Sequence, residues 1–166
     1  MARAPGLDES LFTPLAAGGL RAAAVVERQT DDALAASDVA LAASGTATIQ
    51  ATLHGCPMVI VYRLAPLTYR LGKPFVRVDT YGMVNLVAGR RIMPEFIQDA
   101  FTPEAVAREA LDLLTNRDRS AEARAALAMV RERLGEEGAT RRAAEAILAV
   151  AARRGAKPHG RVSEET

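Results

Sequence analysis

The chain is poor in the residues that mark several common kinds of protein. It has one cysteine, Cys56, in 166 residues, which rules out an internal disulfide framework and fits a reducing compartment. Its two histidines, His54 and His159, stand far apart. No His/Cys/Asp cluster has metal-ligand spacing, so neither a metal nor a cofactor is expected. A formal net charge of +1 removes the electrostatic case for nucleic-acid binding. No apolar run approaches the length that spans a bilayer. The first nine residues carry Pro5, Asp8 and Glu9 in place of an apolar signal core. A cytoplasmic address follows as the expectation. What remains, 49% hydrophobic and 25% charged residues, is the composition of one soluble globular domain long enough to bury a core.

The first half alternates short apolar runs with small-residue turns. Leu20 to Val26 reads as a buried strand, and Asp31 and Asp32 open a brief helix through Ala36. A strand over Val39 to Ala42, a helix over Thr46 to His54 with Gly55 as its stop, and a β-branched strand over Met58 to Tyr62 follow. Pro66 to Leu71 is a further short helix and Phe75 to Val78 a further strand. This rhythm predicts an α/β fold: βαβ units forming part of a doubly wound parallel sheet covered on both faces.

The stretch from Ala36 to Gln50 carries the most chemistry. An apolar strand runs straight into Ser44-Gly45-Thr46, which opens a helix. Such a junction leaves backbone N–H groups unpaired at the positive end of the helix dipole, a setting for phosphate. Ser44, Gly45, Thr46 and Ala47 are small enough for a diphosphate to approach the backbone. An ordinary turn with Ser44 or Thr46 as N-cap explains the same residues.

The second half is helical. Thr102-Pro103-Glu104 is a helix-start signature, followed by Val106, Ala110, Leu113 and Leu114 at the spacing of one buried face. Arg119 to Leu134 and Ala139 to Ala152 are two further amphipathic helices, separated by Gly135-Glu-Glu-Gly138. Arg141, Arg142, Arg153 and Arg154 read as a solvated basic face. The polar tail from Gly155 is expected to be disordered. The organisation expected is therefore a residual segment over 1–19, a Rossmann-like domain with C-terminal helices over 20–154, and the tail over 155–166. No first strand with a Gly-rich turn precedes Leu20, so an N-terminally incomplete domain is expected.

In order and spacing, several blocks resemble the C-terminal half of lipid-A-disaccharide synthases, glycosyltransferases of the two-domain GT-B fold. These are Ala36-Ser-Asp38, Ala43-Ser-Gly-Thr-Ala-Thr48, Gly55-Cys-Pro-Met-Val59, Tyr62-Arg63 and Pro66-Leu-Thr-Tyr69, then Asn85-Leu-Val-Ala-Gly-Arg90, Pro94-Glu-Phe-Ile-Gln98 and Thr102-Pro-Glu104. The resemblance implies transfer of 2,3-diacylglucosamine from its UDP donor to 2,3-diacylglucosamine 1-phosphate (lipid X), with release of UDP. It also implies a peripheral contact with the inner face of the cytoplasmic membrane, because both substrates are acylated.

The same resemblance points to a donor site. Ser44, Gly45, Thr46, Ala47 and Thr48 would supply fixed N–H donors to the leaving diphosphate. Gln50 stands where the family often has a glutamate for the ribose; an amide still accepts one such bond without charge assistance. Asn85, read as a loop residue, is expected near donor sugar or phosphate, with Val84 where the family usually has proline. Gln98 and Glu95 would line the donor side, although Pro94-Glu95 alone reads as a helix start. Arg63 follows an apolar strand, where α/β sites collect ligands, and a surface salt bridge explains it nearly as well. Cys56 and Met58 read as core, and His54 as a partner of the helix C-terminus. The acid that takes the acceptor's proton belongs, in the family, to the N-terminal half. No catalytic residue is therefore expected here, and the isolated chain should be inactive without that domain or a partner chain. Two other classes stay open. One is another UDP-sugar enzyme of the same fold, of the UDP-N-acetylglucosamine 2-epimerase or peptidoglycan glycosyltransferase type. The other is a non-catalytic interaction module docking through an exposed sheet edge.

Overall fold

Short apolar runs separated by helix-forming segments suit parallel pairing, because parallel neighbours need a crossover connection and a helix supplies it. A computed structural model describes residues 1–3, 6–13, 24–65, 80–135 and 138–153. The chain divides into two compact units, Met1–Arg133 and Leu134–Thr166.

In the first unit, β1 (Ala2–Arg3) and β2 (Val26–Glu27) form a two-stranded parallel pair. Arg3 Nε donates to Glu27 Oε2 across it at 3.0 Å. The main sheet is three-stranded and parallel, in the order β3 (Ala40–Ala43), β4 (Met58–Tyr62), β5 (Glu95–Ile97). β4 lies in the middle, and Met58, Val59 and Ile60 are fully buried. A strand covered on both faces needs apolar side chains in both directions, which is why β4 is a continuous apolar run. The expected α/β parallel architecture is the one found.

Helix α1 (Thr30–Ala35) precedes β3, and α2 (Thr46–Leu53) connects β3 to β4. Helix α3 (Met83–Ala88) precedes β5 and packs beside α2. The register places Ala42, Ile60 and Glu95 in one row across the sheet. The start of α3 presses on that row: a Cβ built on Gly82 would lie 2.5 Å from Ile60 Cδ1.

Helix α4 (Pro103–Thr115) begins as its sequence demands, with Thr102 Oγ1 accepting the Ala105 N–H at 3.3 Å and Pro103 in the first turn. It buries Val106 and Leu113 and half-buries Ala110. Leu114, expected on the same face, is exposed. Helix α5 (Arg117–Leu134) buries Ala123, Leu127 and Val130 at helical spacing. Truncating the fully buried Leu127 to alanine would cost about 2–5 kcal/mol. Two arginines tie α5 to the sheet layer. Arg124 donates to the carbonyls of Gly55 (3.0 Å) and Asp38 (3.3 Å), and Arg133 to those of Val87 (3.2 Å) and Ala88 (2.9 Å). The Gly55, Val87 and Ala88 carbonyls lie at or just past the ends of α2 and α3, where cations are favoured, and that of Asp38 lies just before β3.

In the second unit, α6 (Ala139–Arg153) exposes every side chain described over 139–152. Arg141 Nε lies 3.8 Å from Glu145 Oε1, an i,i+4 pair on a solvated face.

Several local expectations change. Asn85, read as a loop residue, lies inside α3. Glu95, whose Pro-Glu context mimics a helix start, opens β5. Neither Ser44 nor Thr46 caps α2; the N-cap is Gly45, with no side-chain cap. Of the expected strand over Leu20 to Val26, only 24–26 lie among the described residues, and Val26 opens β2. The expected helix over Pro66 to Leu71, the strand over Phe75 to Val78 and the polar tail lie outside the described residues. Among those residues, no helix is long and apolar enough to cross a membrane.

Candidate functional site

The turn between β3 and α2 emerges at the C-terminal end of a parallel strand, where open α/β sheets collect ligands. Ser44 is tethered twice: its N–H donates to Val61 O (3.2 Å) and its hydroxyl to Tyr81 O (2.9 Å). Gly45 follows at φ +137° and ψ −156°, a conformation open to glycine alone. No atom of the described residues lies within 4 Å of where its Cβ would be, so conformation and not crowding selects glycine. Thr48 N–H and Thr48 Oγ1 both donate to Gly45 O, at 3.1 and 2.7 Å, which closes the first turn from within. The N–H groups of Thr46 and Ala47 have no acceptor inside the helix, and no cap side chain reaches them. Thr46 is exposed and Ala47 half-buried. The result is a glycine-opened helix start whose first donors have no partner among the described residues. Gln50 sits half-buried one turn further along α2, with no side-chain hydrogen bond among the described residues.

Beside this turn stands a network in which every polar atom is occupied. The Glu95 carboxylate accepts Tyr81 N–H at 2.8 Å through Oε2, and Gly82 N–H at 2.9 Å through Oε1. Oε1 also accepts Asn85 Nδ2 at 2.6 Å. Asn85 donates in addition to Met93 O (2.9 Å), and its Oδ1 accepts the N–H groups of Ile92 (2.8 Å) and Met93 (2.9 Å). All four hydrogen-bonding positions of this fully buried amide are spent on the chain's own groups. Asn85 therefore ties α3 to the segment entering β5, a role that its turn-forming propensity does not reveal.

Gln98 and Arg63 form a third group, at the C-terminal ends of β4 and β5. Gln98 holds φ +54°, unusual for a residue with a side chain. Its amide pairs with one residue's backbone, Oε1 accepting Leu64 N–H at 2.6 Å and Nε2 donating to Leu64 O at 3.1 Å. Arg63 Nη2 donates to Phe101 O at 2.8 Å, and the guanidinium lies 5.1 Å from the Phe101 ring centroid. A backbone carbonyl and an aromatic face take the place of the surface salt bridge weighed for this arginine.

Cys56 and Met58 are core, as expected. Burial pushes the Cys56 thiol above its ordinary value, so it is a poor nucleophile. His54 caps the end of α2 and places Nε2 3.0 Å from Asp31 Oδ1. Among the described residues, no group of His, Cys, Asp or Glu could hold a metal ion. A groove of about 650 Å³ runs between the segment entering β5 and helices α4 and α5. Arg90, Arg119, Glu109 and Glu122 line it with both signs of charge, and it includes no residue of the α2 turn.

Comparison with known proteins gives this arrangement a family context. The family model described as lipid-A-disaccharide synthetase matches residues 18–150. A lipid-A-disaccharide synthase of Solibacter usitatus is 50% identical over 125 residues, covering 74% of this chain and 32% of that protein. That of Geobacter metallireducens is 41% identical over 141 residues, covering 85% of this chain and 36% of its own. That of Alkalilimnicola ehrlichii is 43% identical over 148 residues, covering 89% and 38%. The chain spans about a third of the length of these relatives.

Proposed function

This chain belongs to the lipid-A-disaccharide synthetase family, and from that premise we propose that it carries the donor-nucleotide half of a lipid A disaccharide-forming glycosyltransferase. The donor is UDP-2,3-diacylglucosamine and the acceptor 2,3-diacylglucosamine 1-phosphate. The observation that supports this most is the glycine-opened, uncapped start of α2 at the C-terminal end of β3.

In glycosyl transfer the bond between the sugar's anomeric carbon and the UDP oxygen breaks, and the acceptor hydroxyl oxygen bonds to that carbon. The acceptor proton goes to a base, and negative charge collects on the departing diphosphate. The N–H groups of Thr46 and Ala47, at the positive end of α2, are the fixed donors that would meet that charge. Ser44 and Thr48 hold the turn in shape through their own bonds. Gln50 is the acceptor for the ribose hydroxyls, and Arg63 stands at the end of β4 on the same edge of the sheet. Gln98 fixes the backbone that follows Arg63. The base comes from an N-terminal domain or partner chain, which also docks the acceptor at the periphery of the cytoplasmic membrane.

Titration of the 166-residue chain with UDP tests the proposal. Saturable binding is expected, with the largest amide shifts at Gly45, Thr46 and Ala47 and weaker binding of uridine, which lacks the diphosphate. No response to UDP, or equal affinity for uridine, overturns it. Transferase assays of the chain alone should give no disaccharide; robust product would overturn the assignment of the base to another polypeptide.

A further inference from the structure

Between Ser44, at the start of α2, and Glu95, on β5, runs an unbroken chain of bonds. The Glu95 carboxylate receives the consecutive N–H groups of Tyr81 and Gly82 at 2.8 and 2.9 Å. The carbonyl of Tyr81 in turn receives the Ser44 hydroxyl at 2.9 Å. Tyr81 is thus gripped through its N–H by a strand residue while its C=O holds the turn that opens α2. Glu95 is itself 9% exposed and cannot move aside, because Asn85 Nδ2 donates to it at 2.6 Å. Gly82 removes any side chain from the contact, since a Cβ there would stand 3.1 Å from Glu95 Oε1.

We infer that Glu95 is a positioning residue for the anion-binding turn of α2, acting through Tyr81 and Ser44 without touching the donor. This rests on the donor-site reading proposed above and extends it to a residue on another strand. The carboxylate suits the task because it has only acceptors. Three N–H donors converge on it from the 81–82 backbone and Asn85, and no donor of its own competes. Glutamine would turn one of its two positions into a donor facing donors. Tyr81 would lose its grip, Ser44 its fixed acceptor, and the N–H groups of Thr46 and Ala47 their fixed direction. Preorganised donors lose most of their worth when their direction is no longer fixed.

The test is a double-mutant cycle read by UDP affinity in the 166-residue chain: wild type, Ser44→Ala, Glu95→Gln and the pair. Each single change should weaken UDP about five- to ten-fold, the worth of one well-placed hydrogen bond. The pair should be no weaker than the worse single variant, because both cut one path. Losses that multiply, or unchanged affinity in Glu95→Gln, overturn the inference while leaving the donor site standing. No UDP binding by wild type overturns both. A second measurement needs no variant. Saturating UDP should slow hydrogen exchange at the Tyr81 and Gly82 amides more than at the Arg119 amide, which is bonded to Asn116 Oδ1 on α5. Equal slowing at all three, as mere global stabilisation would give, overturns the inference.

Discussion

Two helices of this chain start in the same way and end up with different occupants. Both α2 and α3 have glycine as N-cap, Gly45 and Gly82, and neither receives a side-chain cap from it. At the start of α3, the Gly82 N–H and the Tyr81 N–H before it are filled from within by the Glu95 carboxylate. At the start of α2 no residue among those described plays that part. The molecule thus contains its own example of what such a helix start accepts, an anion with oxygen acceptors, and leaves the other start open. The glycines differ in kind as well. Gly82 has an ordinary φ of −73° and is required by crowding, whereas Gly45 sits in open space and is required by its φ of +137°.

The sharpest way to break the comparison is to empty the filled start. Glu95→Ala leaves the Tyr81 and Gly82 N–H groups and Asn85 Nδ2 without their acceptor in a buried setting. Each unsatisfied group costs on the order of 1–3 kcal/mol, so a loss of about 3–5 kcal/mol is expected in urea unfolding. A loss below about 1 kcal/mol would mean that water replaces the carboxylate and that the start of α3 is not sealed. Gly82→Ala should come next. Its methyl would meet Ile60 Cδ1 at 2.5 Å, so the buried Ile60 side chain must repack or the helix shift, at about 1–3 kcal/mol. Because this crowding falls on the Ile60–Glu95 row, a neutral result would show that the Ile60 side chain turns aside or α3 shifts at no cost.

Gly45→Ala should be milder for the fold and harsher for binding. Its cost is backbone strain alone, about 1–2 kcal/mol, since no atom stands in the way of the methyl. To relieve that strain the turn must rotate, which redirects the N–H groups of Thr46 and Ala47. UDP affinity should therefore fall at least about ten-fold, whereas Gly82→Ala, which reaches the turn only through the crowded Glu95 carboxylate, should weaken UDP less than Gly45→Ala does. Denaturation and UDP titration of the two variants side by side check this. The reverse ranking would show that the two glycines had been assigned each other's roles.

The open start was legible in the sequence and the filled one was not, for a physical reason. β3, α2 and β4 are set by local signals: an apolar run, small turn residues, then a continuous β-branched run at Met58–Tyr62 whose bounds match the expectation. Strand β3 lies one residue later than expected and α2 ends one residue earlier, and the N-cap was missed because Ser44 looks like a cap and instead sends its hydroxyl to Tyr81 O, 37 residues away. Around α3 and β5 the local signals mislead. Asn85 is a turn former by propensity, yet it sits in a helix because its amide satisfies the backbone of residues 92 and 93. Pro94-Glu95 imitates a helix start, yet it becomes a strand because Glu95 pairs with Ile60 in the β4–β5 ladder. Both outcomes depend on partners brought together only by folding. The family resemblance, carried by the same residues, survived these local misreadings because it depends on their order and not on their conformations.

The finest adjustment lies one turn beyond the open start. Gln50 is half-buried on α2, and in the proposed function it takes the ribose while the N-terminal turn takes the diphosphate. Gln50→Glu would replace a neutral acceptor with a charged one, strengthening a bond to a ribose hydroxyl by about 0.5–1 kcal/mol at this half-exposed depth. Uridine should then bind about two- to five-fold more tightly. UDP should gain less, because the new carboxylate also repels the diphosphate. That shortfall should shrink as salt screens the longer-range repulsion, leaving the contact with the ribose. Titrations of both ligands at low and high salt separate the two effects. A variant that leaves uridine affinity unchanged while weakening UDP would retain the repulsion and lack the contact. Gln50 would then lie beside the nucleotide without facing its ribose, and the open helix start alone would carry recognition.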